Sequence, residues 1–147
     1  ANAAKGLVDN VINMEGVTRV SSVEQKGGKI VLKGGESGTV RVAGELDASG
    51  TDGGEIEVSG ENTFVTENAN ISADATDNGD GGDVLIWGDN VSALFGTVSA
   101  RGGANAGDGG FVELSALTTV GFAGIVDTSA ANGETGTFLI DQKKIDF

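Results

Sequence analysis

Short runs of alternating apolar and polar residues recur along the chain, each just behind glycine. Gly27-Gly28 precede Ile30 and Leu32, Gly53-Gly54 precede Ile56 and Val58, and Gly81-Gly82 precede Val84 and Ile86. Gly109-Gly110 precede Val112 and Leu114, and a single Gly136 precedes Phe138 and Ile140. Apolar side chains two residues apart share one face of an extended chain, so each run predicts a short strand with one buried face. The glycine before each triplet falls at 28, 54, 82, 110 and 136, giving steps of 26, 28, 28 and 26 residues. A second submotif, aliphatic, polar, then small, runs in phase with the first. It reads Val20-Ser21-Ser22, Leu46-Asp47-Ala48, Ile71-Ser72-Ala73, Val98-Ser99-Ala100 and Val126-Asp127-Thr128. A third strand-like stretch lies between the two, at Thr39–Val42, Thr63–Thr66, Val91–Phe95 and Thr118–Phe122, with its register ambiguous around Phe64 and Val65.

Three short strands per repeat cannot bury their own apolar faces, so successive repeats must stack. In-phase stacking pairs equivalent strands in parallel at about 4.8 Å per coil, and roughly five coils give a prism about 24 Å long. The expected fold is therefore all-β: a right-handed parallel β-helix of about five coils of 25–28 residues. Ile30, Ile56, Val84, Val112 and Phe138 form one inward column, and Leu32, Val58, Ile86, Leu114 and Ile140 a second. Ala48, Ala73 and Ala100 form a third column at a corner with no room for a large side chain. Glycine is expected to supply positive φ at the turns. The segment from the second submotif to the glycine varies in length, 8, 8, 11, 12 and 10 residues, which places loops along one edge of the prism. A β-sandwich also spaces strands regularly, but gives no reason for the same submotif to return every 25 to 28 residues. Residues 1–19 read as a lead-in or partial coil, 20–141 as regular coils and 142–147 as an exit, all one segment of a larger protein. The first and last coils should expose strand edges unless the ends of the chain cover them.

Composition sharpens this picture. The 147 residues include 26 Gly but no Pro, Cys, His or Tyr, which suits short strands joined by tight turns and argues against long helices. The formal charge is −13. It is uneven: all nine Lys and Arg lie at or before Arg41 or at or after Arg101, while twelve acids and no base lie between Val42 and Ala100. Such a surface repels phosphate backbones and anionic lipid, so nucleic acid is not an expected partner. No apolar run is long enough for a membrane span, and residues 1–10 lack the layout of a signal peptide.

Further segments stand out beside the repeat: Val11-Ile12-Asn13, Leu46-Asp47-Ala48-Ser49-Gly50, Ile86-Trp87, Gly96-Thr97-Val98-Ser99-Ala100-Arg101-Gly102-Gly103, Gly107-Asp108-Gly109-Gly110-Phe111-Val112-Glu113 with Ser115, and Gly136-Thr137-Phe138-Leu139-Ile140-Asp141. Together they resemble the repeat region of filamentous-haemagglutinin-like exoproteins, adhesins exported by two-partner secretion. Two positions depart from the family pattern: Gln142 stands where it has Pro, and Ala116-Leu117 where it has Gly-Lys. Neither touches the core columns. The resemblance covers nearly the whole chain and implies a secreted or cell-surface location in a bacterium. It also implies an outer-membrane transporter as partner during export, and a β-helical rod that mediates or presents adhesion, its neighbours being further coils of the parent protein.

Without His or Cys, triad and thiol nucleophiles and histidine-metal chemistry are excluded. β-Helices also host polysaccharide lyases and hydrolases, which need clustered acids and, for lyases, a nearby base; Arg101 is the one base near the acidic coils, and a non-enzymatic chain is expected. Asp77, Asp80 and Asp83 lie in a glycine-rich stretch with oxygen ligands that a hard cation such as Ca²⁺ could use. Their spacing matches neither of the common calcium loops, and the plainer reading is a solvated turn. Leu85, Trp87 and Phe111 should point outward on adjacent coils as an apolar patch, a candidate interface for a host protein or glycan, or a surface covered by a neighbouring segment. The loops at Asp74–Gly81 and Arg101–Gly109 are the other candidate binding elements.

Overall fold

A computed structural model describes residues 11–14, 17–19, 28–34 and 38–143. Among these residues all regular structure is β, in thirteen strands. Every strand pairing is parallel, and the strands stack as a β-solenoid of about four turns.

Each coil contributes to three faces. The face behind the glycines is built from β3 (Lys29–Lys33), the first part of β6 (Glu55–Val65), the first part of β8 (Asp83–Leu94), β10 (Phe111–Ala116) and β13 (Thr137–Gln142). The second face holds β1 (Val11–Met14), β4 (Thr39–Val42), the remainders of β6 and β8, and β11 (Thr119–Phe122). Because β6 and β8 run through both, these two faces are one bent eight-stranded sheet. A separate five-stranded sheet forms the third face, in the order β12 (Ile125–Asp127), β9 (Thr97–Ser99), β7 (Asn70–Ser72), β5 (Glu45–Asp47), β2 (Val17–Arg19).

The register joins the residues that the spacing pairs. Ile30 lies opposite Ile56, Val84, Val112 and Phe138 on successive coils, and Leu32 opposite Val58, Ile86, Leu114 and Ile140. Val42, Val65, Leu94 and Phe122 form the inward column of the second face, which settles the ambiguous pair: Val65 is buried and Phe64 sits on the outer side between Arg41 and Ala93. Leu46, Ile71, Val98 and Val126 line the third face, and Ala48, Ala73 and Ala100 are fully buried at its corner. The first instance of that submotif, Val20–Ser22, lies outside the described residues; the strand that extends this face there is β2, with Thr18 opposite Leu46. Each fully buried Val, Ile or Leu in these columns contributes roughly 1.5–3 kcal/mol relative to exposure.

The glycine pairs differ from expectation in their cause. Among the described residues only Gly107 has positive φ, at 114°. The paired glycines instead lie where coils touch backbone to backbone. A Cβ on Gly82 would run into the carbonyl oxygen of Gly54, and one on Gly81 into that of Ala100. The same collision recurs at Gly110 against Gly82 and at Gly136 against Gly110. Hydrogen bonds cross this seam in every coil, with Glu55 N donating to Gly28 O at 2.9 Å, Asp83 N to Gly54 O at 3.0 Å and Phe111 N to Gly82 O at 2.9 Å.

At the bend between the first and second faces β8 carries one more residue than β6, and the register shifts between Gly60 and Asn62. The bend turns two carbonyls inward, and buried hydroxyls meet them. Thr63 Oγ1 donates to Trp87 O at 2.7 Å and Ser92 Oγ to Ile86 O at 3.3 Å, so two polar residues that are 0 % exposed lie in an apolar core without orphaned donors. In the last coil the same columns meet no further layer among the described residues. Ile140 is 47 % exposed where its partner Leu114 is 0 %, and Phe122 is 41 % exposed.

Candidate functional site

The outward positions of the first face form three columns. Lys29, Glu55, Asp83, Phe111 and Thr137 make the first, Val31, Glu57, Leu85, Glu113 and Leu139 the second, and Lys33, Ser59, Trp87, Ser115 and Asp141 the third. The apolar patch expected from sequence therefore divides. Leu85 and Trp87 are neighbours on β8, whereas Phe111 stands over Asp83, four strand positions short of Ser115, the residue opposite Trp87. All three are half-buried.

Leu85 and Trp87 line a recess of about 310 Å³ together with Lys33, Glu57, Ser59, Gly60 and Asp89. The indole Nε1 donates to Asp89 Oδ1 at 2.7 Å. Asp89 belongs to the longer corner of β8, and bulges of this kind commonly re-aim side chains at sites. Lys33 Nζ lies 3.9 Å from Glu57 Oε2 on the rim.

The three aspartates considered for a cation do not converge. Asp77 Oδ1 accepts from Asn105 Nδ2 at 3.1 Å, and Asp80 Oδ1 accepts from Asp108 N at 2.8 Å, both groups lying one coil further along. Asp83 is on the strand face, where burial, and to a lesser extent the neighbouring Glu55 charge, raise its pKa above the usual aspartate range. No group of three His, Cys, Asp or Glu among the described residues is placed to hold a metal ion.

What the loop acids do is tie coil to coil. Asp108 Oδ1 takes the amide of Glu134 at 2.9 Å, repeating the bond that Asp108 N makes to Asp80. Asp52, Asp80 and Asp108 recur at intervals of 28 residues, each just before a glycine pair. That D-G-G spacing is the sequence signal of this ladder. A second ladder centres on Asp74, whose carboxylate accepts from Ser99 Oγ at 3.0 Å, Arg101 N at 2.8 Å and Arg101 Nη2 at 3.0 Å. This hydrogen bond and the charge of Asp74 raise the Arg101 pKa. Asp127 is lowered, first by hydrogen bonds from Ser129 and further by Arg101. Asp74, Arg101 and Ser129 border a second recess of about 400 Å³ on the loop edge, lined also by Ala75, Ala104, Ala130 and Ala131. The sequence shows Arg101 as the one base near the acidic coils; its role as the partner of Asp74 depends on the coil register.

No helix among the described residues is long and apolar enough to cross a membrane. No family model matches the chain, and no curated protein matches it.

Proposed function

We propose that this chain is a rod segment of a secreted or surface-exposed bacterial adhesin of the filamentous-haemagglutinin type, contributing length and a display surface. The observation that carries the reading is the commitment of side-chain polar groups to bonds between coils. Asp74 with Arg101, Asp77 with Asn105, Asp80 with Asp108 and Asn62 with Asn90 each join one coil to the next, the bonding expected of an element that transmits length. The resemblance of the repeat segments to that family supplies the surface location and the outer-membrane transporter. Antibodies raised against the chain test the reading on the source cells. Labelling of intact cells, with adherence reduced by the antibody, is the expected result. Labelling that requires permeabilised cells contradicts it.

A further inference from the structure

The recess beside Trp87 is a pre-formed shelf. The backbone at Trp87 is held by the Thr63 hydroxyl and its ring by Asp89, both at 2.7 Å, so little ordering cost remains for a ligand. Opposite Trp87 on the preceding coil stands Ser59, followed by Gly60, and neither is large enough to cover an indole. The resulting volume of about 310 Å³ is at the small end of ligand sites.

The rim decides the class of occupant. Glu57 and Asp89 supply acceptors and Lys33 a donor within one recess. A cation stacked on the ring would meet the Lys33 ammonium, and an acidic sugar would meet two carboxylates on a chain of charge −13. A neutral ring whose hydroxyls both donate and accept matches this mixed rim, and its C–H face matches the amphipathic indole. We propose that this recess is a glycan subsite for a neutral pyranose, stacked on Trp87 and hydrogen-bonded to Glu57, Ser59 and Lys33. The proposal goes beyond the rod reading and does not depend on where the protein resides.

Trp87 is the one tryptophan and the chain has no tyrosine, so its emission reports the recess directly. The purified chain is titrated with lactose and with cellotetraose, and in parallel with choline chloride and sodium glucuronate. A saturable emission change is expected with a neutral sugar and none with choline or glucuronate. Ser59→Leu, which fills the recess and keeps the indole, should weaken the response at least about tenfold while the circular dichroism is unchanged. If that variant loses its β spectrum, Glu57→Ala on the rim serves instead and should weaken the response several-fold. The proposal is overturned if neither sugar gives a saturable change up to about 10 mM, if the folded variant responds like the parent, or if only choline or glucuronate saturates.

Discussion

Gly82, just before β8, and Gly121, within β11, belong to the same solenoid, yet they are glycine under opposite constraints. A Cβ on Gly82 would overlap the carbonyl oxygen of Gly54 on the coil beneath, where only backbone could move aside. On Gly121 the nearest atom to such a Cβ is Ala93 Cβ at 3.7 Å, an ordinary contact. Gly82→Ala should therefore cost about 3 kcal/mol or more, at or above the upper end of the usual cost of overpacking, because the clash is with backbone. Gly121→Ala should be neutral or stabilising by up to about 1 kcal/mol, because it removes unfolded-state freedom from a strand position. Urea denaturation of the two variants beside the parent separates the cases. The sequence displayed the paired glycines as punctuation but not their reason. Positive φ is a property of one residue, whereas the exclusion at Gly82 arises from a residue 28 positions earlier that only the stacked coils bring into contact.

Strands and loops differ in how far they could be read. The strand faces follow from alternation plus period, so the inward columns of the first face and, from Leu46 onward, of the third face were legible residue by residue. The outer columns follow from the same arithmetic: 111 less 28 is 83, and 87 plus 28 is 115, which already parts Phe111 from Trp87. The recess beside Trp87 was not legible, because it depends on Ser59 and Gly60 being small on the preceding coil and on the extra corner residue that brings Asp89 to the indole. In the loops, side-chain bonds between coils add to backbone bonds such as Ala75 N to Arg101 O and Gly103 N to Gly79 O, both at 2.9 Å. Asp74→Ala removes the acceptor of two Arg101 groups and of the Ser99 hydroxyl, and should cost about 1–3 kcal/mol. Arg101→Ala removes one exposed guanidinium and leaves its amide bonded to Asp74, for a loss below about 1 kcal/mol. A thermal or denaturant series in which Arg101→Ala is as damaging as Asp74→Ala would contradict this ordering.

At the scale of the molecule, stability comes from interfaces between similar layers. Each coil meets the next through register-matched columns and a glycine seam, and in the last described coil those columns are more open, with Ile140 47 % exposed. All strand pairing joins residues about one period apart, a long-range parallel topology that folds slowly compared with local contacts. If layers are the unit, one can be removed whole. Deleting residues 55–82 joins Gly54 to Asp83, whose register partner is Glu55, so the remaining faces meet without a change of phase. Deleting residues 55–68 removes the same first-face strand but brings unlike faces together. The most direct test of the solenoid account compares these two deletions with the parent by far-ultraviolet circular dichroism and urea unfolding. The account predicts that the whole-coil deletion keeps the β spectrum and a cooperative transition at a lower midpoint, while the partial deletion does not fold. Loss of folding in both would contradict the claim that the molecule is built from interchangeable stacked coils.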